Sequence, residues 1–195
     1  AEWTAVRSSS ADIVAVNQSS FERIVLDEKR DVVVMFHSQG CEGCGHMAVY
    51  YKRVGLRFRE LGIKSLVVAR MDVTDESPPP FLKLQLPSLP SLVMFPAKDK
   101  GPPFRFFSGI AKVLEMMKWA HSEASVTFEL PDHAHLNPAD VVEFKIQVAE
   151  REQQLAEKAM QEAEAIQAEE ERKAAAKAKR RQREDAAKQA GGGEL

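Results

Sequence analysis

The only two cysteines in this 195-residue chain stand together as Cys41-Glu42-Gly43-Cys44. Two thiols separated by two residues can close a small disulfide, and a lone pair at this spacing points to redox or metal chemistry rather than a disulfide scaffold. The pair follows an apolar run, Val32-Val33-Val34-Met35-Phe36, and precedes a helix-like stretch. A helix N-terminus favours a thiolate on the first sulfur. In dithiol exchange the first cysteine attacks or is attacked, and the second resolves the mixed disulfide. Cys41 fits the first role and Cys44 the second. The metal alternative is weaker. Zinc takes about four ligands, and the nearby histidines give His37-x3-Cys41-x2-Cys44-x-His46, in which a strand-tip histidine would have to fold back over the pair. No metal and no cofactor is expected.

These residues need elements to hold them. Hydrophobic content is 44 % and charged content 29 %, which suits one real core. The formal net charge of −2 offers no argument for a nucleic-acid partner or a membrane surface. No apolar run approaches the roughly 18 residues of a membrane span. Asp12–Val16 reads as a short strand. Asn17–Leu26 reads as a helix capped at Ser19 or Ser20, with Phe21, Ile24 and Val25 on one face. Val32–Phe36 and Leu66–Asp72 read as buried strands. The helix after the cysteines runs from Cys44 to Leu61 and closes at Gly62. Pro80–Leu84 reads as a short helix. Leu92–Phe95 and Phe104–Phe107 read as a hairpin around Lys98-Asp99-Lys100-Gly101. Ile110–Ala124 is an amphipathic helix with Ile110, Val113, Leu114, Met116, Met117 and Ala120 as its apolar set.

The order β-α-β-α-β-α-β-β-α predicts an α/β domain, a central mixed sheet flanked by helices. With Cys-x-x-Cys directly after the second strand, it resembles the thioredoxin fold, and in detail a domain of the protein disulfide isomerase family. Val67-Val68-Ala69-Arg70-Met71-Asp72-Val73-Thr74, Leu89-Pro90-Ser91-Leu92-Val93-Met94-Phe95-Pro96-Ala97, and Phe107-Ser108-Gly109 with a following helix containing Trp119 are similar to three segments of that family, in the same order. The resemblance implies thiol–disulfide exchange with protein or peptide substrates in the endoplasmic reticulum lumen. It also implies a cis peptide before Pro90, opposite the disulfide, which makes Leu89 and Pro90 candidate substrate contacts. Pro87 is the competing cis candidate.

The departures from the family pattern bear on chemistry. Gly40 stands where the family has tryptophan, and Glu42-Gly43 replaces Gly-His. A histidine between the cysteines makes a disulfide more oxidising; Glu42 adds negative charge beside Cys41, disfavours the thiolate and makes the pair more reducing. His46 could restore positive charge, although a helix turns it away from Cys41. The family's buried carboxylate six residues before the first cysteine is Met35 here. Arg70 matches that acid's cationic partner, the arginine after Gly109 is replaced by Ala111, and a helix proline by Val49. Proton transfer with Cys44 is then left to water or Glu42. The expected activity is an attenuated or more reducing exchange.

Residues 1–130 are expected to form the thioredoxin-like domain, 131–138 a polar linker with His133 and His135 in solvent, 139–190 a long charged helical or coiled-coil arm, and 191–195 a disordered tail. Asn137 can cap the arm with Pro138 at its first position. Val141, Phe144, Val148, Leu155, Ala159 and Ile166 form its apolar stripe, followed by Glu169–Glu171 and the basic block Lys177–Arg183. Such an arm could pair with a partner helix, with itself, or with an anionic surface. Trp119 and one of Tyr50 and Tyr51 are expected in the core; Trp3 falls in an irregular segment. The competing reading is a redox-weak interaction module using the fold as a platform. Oligosaccharyltransferase's thioredoxin-like subunits, which also carry Cys-x-x-Cys, are a related possibility, though they continue into transmembrane helices and this chain into a charged one.

Overall fold

The structure, a computed structural model, describes residues 12–190. Trp3 and the expected tail at 191–195 lie outside the described residues. The chain divides into two compact units at Pro138, each treated by itself.

The first unit is a five-stranded sheet in the order β1-β3-β2-β4-β5, formed by β1 (Val14–Val16), β2 (Asp31–His37), β3 (Leu66–Asp72), β4 (Ser91–Phe95) and β5 (Arg105–Phe106). β1, β3 and β2 run parallel; β4 is antiparallel to β2, and β5 to β4. Helices α1 (Gln18–Val25), α2 (Cys44–Glu60) and α3 (Val113–Glu123) flank it. This is the thioredoxin fold.

β2 is apolar on both faces because both are covered. Val32, Val34 and Phe36 pack with Phe21, Ile24 and Val25 of α1. Val33 and Met35 point the other way, onto Tyr51, Val54 and Phe58 of α2 and Met116, Met117 and Ala120 of α3. The two-residue period of a strand thus builds two cores from one run. Tyr51 is fully buried and Tyr50 half-buried. Trp119 is half-buried against Phe107, ring centroids 5.3 Å apart.

Several boundaries differ from expectation. The cap of α1 is Asn17, not Ser19 or Ser20: its side chain accepts from the Ser20 amide at 2.9 Å, while the Ser20 hydroxyl accepts from the Asn17 amide at 3.0 Å. This reciprocal box needs Ser20 three residues into the helix rather than at its start. α3 starts at Val113, not Ile110, and Ile110 is 68 % exposed. The Phe107 amide still pairs with the Leu92 carbonyl, and the Lys112 amide closes a tight turn onto the Ile110 carbonyl at 2.7 Å, so the chain is turning through residues where helix was expected. Pro80–Leu82 is a single 3₁₀ turn. The segment expected as a solvated linker folds into two turns, Ala134 amide to Pro131 carbonyl and Leu136 amide to His133 carbonyl, and buries Ala134 in the second core. His133 and His135 are accordingly half-buried.

The sequence contains no hint of Asp31 as a core residue. It is fully buried at the start of β2. Its carboxylate accepts from the Ala97 amide at 2.7 Å, the Ser125 hydroxyl at 2.7 Å and the Val126 amide at 2.8 Å, tying the end of β4 and the segment after α3 to β2. With the Ser125 amide at 3.1 Å as the fourth donor, the carboxylate is satisfied by neutral groups.

The second unit is one helix, α4 (Pro138–Ala190), of 53 residues. Ion pairs Lys173–Glu169 and Arg180–Glu184 lie along it at i,i+4 spacing. Val148, Leu155 and Ile166 of the expected stripe are exposed, as are Val142, Ile146 and Met160. Among the described residues no helix is long and apolar enough to cross a membrane.

Candidate functional site

Cys41 and Cys44 are joined in a disulfide with their Cα atoms 5.5 Å apart. Local backbone makes this closure: Gly43 is the N-cap of α2 at φ +86°, so Cys44 is the first helical residue, and Gly40 ahead of the pair sits at φ +71°. Both are left-handed conformations that L side chains adopt at a cost of roughly 1–2 kcal/mol. Cys44 is 8 % exposed and Cys41 half-buried, so the first sulfur is the reachable one. Cys41 Sγ stands 3.6 Å from the Glu42 carbonyl oxygen.

The loop entering the pair is held from the end of β3. The Val73 amide donates to the His37 carbonyl at 2.8 Å. The Gln39 amide donates to the Thr74 hydroxyl at 2.9 Å, and that hydroxyl donates to Asp72 Oδ1 at 2.6 Å. The Thr74 amide also donates to Asp72 Oδ1, at 2.9 Å. The Thr74 hydroxyl and amide together hold the Asp72 carboxyl below the usual carboxylate range, with His37 and Arg70 adding smaller attractions. In the sequence these residues stand out only as part of a segment similar to one of the family. The Asp-x-Thr pattern after a strand, a local side-chain-to-backbone turn, was the available signal.

The peptide before Pro90 is cis, and Pro87 is not the cis residue. Pro90 Cδ lies 3.9 Å from where a β-carbon on Gly43 would stand, so the structure brings Pro90 against the Cys-x-x-Cys loop. Leu89 beside it is half-buried, packed on the first core. Glu42 is exposed. His46 is exposed, with its ring edge-on to Tyr50 at 5.1 Å. Arg70 is exposed on β3 directly opposite Met35 of β2, and Met35 is 3 % exposed in the second core. Among the polar atoms near Met35 is the Tyr51 hydroxyl, which donates to the Ala69 carbonyl at 2.6 Å and lies 3.0 Å from the Val33 carbonyl. Burial pushes this phenol well above its ordinary range. Among the described residues no group of three or more His, Cys, Asp and Glu side chains is placed to hold a metal ion.

A family model described as "OST3 / OST6 family, transporter family" matches residues 1–139. The chain belongs to the OST3/OST6 family. Its thioredoxin-like domain is also similar to protein disulfide isomerases. It is 31 % identical to protein disulfide isomerase-like 1-4 of Oryza sativa subsp. japonica over 123 residues, 63 % of this chain and 21 % of that protein. It is 25 % identical to human protein disulfide-isomerase A4 over 119 residues, 61 % of this chain and 18 % of that protein. The OST3/OST6 chain therefore spans about a fifth of the length of these relatives. The solution structure of the first thioredoxin domain of mouse protein disulfide-isomerase A4 aligns with a TM-score of 0.50 at 18 % identity, covering 67 % of this chain and 88 % of that domain. The solved structure shows the shared thioredoxin fold, and the curated similarity is to a domain of protein disulfide isomerases.

Proposed function

We propose that this OST3/OST6-family chain exchanges disulfides with protein cysteines through Cys41 and Cys44 in the endoplasmic reticulum lumen. The observation that carries the reading is the closed Cys41–Cys44 disulfide at the start of α2, with Cys41 the more accessible sulfur. A substrate thiolate attacks Cys41 Sγ; the bond between the two sulfurs breaks, and Cys44 leaves as a thiolate that takes a proton. A second substrate thiolate then attacks the substrate sulfur of the mixed disulfide and releases Cys41. The substrate dithiol is oxidised and the protein disulfide reduced; the reverse sequence reduces a substrate disulfide. Leu89 and Pro90 are the proposed substrate contacts. Glu42 modulates the pair by its charge beside Cys41, with Arg70 and His46 as weaker influences. With Met35 in place of a buried acid, water or Glu42 carries the Cys44 proton, and exchange is slow or specialised.

The family match favours a second reading, an interaction or subunit module of the kind the oligosaccharyltransferase resemblance implies. There the domain binds a partner by its face, and α4 contributes a helix-mediated contact.

Mixed-disulfide trapping separates the two. A Cys44→Ser variant retains Cys41 and cannot resolve, so it should accumulate dithiothreitol-reversible adducts with substrate proteins that a Cys41→Ser, Cys44→Ser double variant lacks. Partner binding without adducts, unchanged in the double variant, supports the module reading instead.

A further inference from the structure

We propose that Thr74 is a positioning residue for the Cys41–Cys44 pair, acting through the backbone amide of Gln39. This rests on the exchange reading above and deepens it. The loop Ser38–Gly40 delivers Cys41 to the start of α2, and its middle is held from outside by Thr74. Gly40 contributes no side chain, and a β-carbon there would meet nothing within 4 Å. Gln39 is exposed. The turn inside the loop, from the Cys41 amide to the Ser38 carbonyl, is long at 3.4 Å. The shorter bond is the one from Gln39 to Thr74, at 2.9 Å across 35 residues of sequence.

The polarity of that bond is set. A hydroxyl has one proton and two lone pairs. The Thr74 proton is committed to Asp72 Oδ1 at 2.6 Å, which leaves an oxygen lone pair for the Gln39 amide. The Asp72 carboxylate also takes the Thr74 amide, fixing the residue from both its backbone and its side chain. Threonine is stiff at χ1, so the hydroxyl stays aimed. A carboxylate at the end of β3 thereby orients a hydroxyl, the hydroxyl holds an amide two residues before Cys41, and the first sulfur inherits that placement. The relay reaches Cys41 through the backbone of Gln39, so the effect is on geometry and not on the chemical step itself.

The test compares Thr74→Val, which keeps the shape and loses the hydroxyl, with Thr74→Ser, which keeps the hydroxyl. Two quantities are read on the whole chain: hydrogen exchange of the Gln39 amide by NMR, and the equilibrium of the Cys41–Cys44 pair with glutathione. Thr74→Val should speed Gln39 exchange about fivefold, the equivalent of one lost hydrogen bond, and shift the glutathione equilibrium by a comparable factor. Thr74→Ser should stay within about twofold of wild type on both. The proposal is overturned if Thr74→Val matches wild type, or if Thr74→Ser behaves like Thr74→Val, which would make the role one of packing. Should Thr74→Val fail to fold, Asp72→Ala, which frees the hydroxyl to rotate, is read on the same two measurements. If the wild-type pair does not equilibrate with glutathione at all, the exchange reading fails, and the Gln39 amide alone decides the place of Thr74.

Discussion

Met35 and Arg70 face each other across β2 and β3, the methionine buried at 3 % exposure among Tyr51 and Val54 of the disulfide-bearing helix and the arginine in solvent. A thioether neither gives nor takes a proton. The position six residues before Cys41 is therefore a packing position, and the cation across from it acts on Asp72 rather than on an acid beneath the disulfide.

Installing that acid should change rate and stability in opposite directions. Met35→Glu is expected to speed dithiothreitol reduction of the disulfide about tenfold or more at neutral pH, since a placed general acid contributes at least that much. The same change buries a carboxyl among apolar side chains and should lower stability by about 2–4 kcal/mol in urea denaturation. An unchanged reduction rate in a folded Met35→Glu protein would show that proton delivery to Cys44 does not limit exchange.

Alkaline stability should turn on a half-buried lysine and a buried tyrosine with opposite signs. Lys100 donates from Nζ to the Arg30 carbonyl at 2.7 Å and the Phe95 carbonyl at 2.9 Å, and burial lowers its pKa from 10.5 to about 8, against attraction from Asp31. Between those values the unfolded chain holds a proton that the folded one has shed, so stability rises with pH from about 8. Tyr51 is raised above its ordinary 10.0, so its contribution is complete below that pH and is lost as the pH climbs beyond it. Denaturation midpoints followed against pH should rise above about 8 in wild type but not in Lys100→Met. The fall at higher pH should be absent in Tyr51→Phe. A flat wild-type profile, or variants that keep the wild-type slopes, contradicts the assignment.

Gly55→Ala should destabilise, although alanine favours a helix interior over glycine by about 1 kcal/mol. A β-carbon at this site would stand 2.7 Å from the Asp12 carbonyl oxygen, a backbone atom held nearby by the Asp12–Arg59 ion pair. The expected net cost is about 1–3 kcal/mol, read by thermal or urea unfolding. A stabilised Gly55→Ala protein would mean that the Asp12 segment yields freely.

The parts of this fold legible in the sequence are those built by local pattern. The unbroken apolar runs at Val32–Phe36 and Leu66–Ala69 announce strands covered on both faces, and Gly62, at φ +70°, marks the end of the helix that Cys44 begins. The Cys-x-x-Cys pair and Pro90 are likewise visible as residue types at a spacing. What stays hidden depends on distant partners. Asp31, just ahead of an apolar run, gives no sign of burial until Ala97, Ser125 and Val126 converge on it from 66 to 95 residues away. Thr74 is one position of a family-like segment just past a strand, and nothing local shows that the Gln39 amide arrives at it. Ile110 has the right spacing for the apolar face of a helix, but a turn closed by Lys112 onto Ile110 delays the helix past it. Ala134, between two histidines, gives no sign of burial, because its neighbours in the core come from other elements.

The most direct measurement of the central claim is the reduction potential of the Cys41–Cys44 pair, obtained by equilibration in glutathione buffers with quenching by alkylation. With Glu42 beside the attacking sulfur and no histidine between the cysteines, a reversible two-electron couple more negative than the about −180 mV of protein disulfide isomerase is predicted, and Glu42→His should move it upward by roughly 10–30 mV. A pair that cannot be reduced and reoxidised, or one at or above that potential and indifferent to Glu42→His, would contradict it.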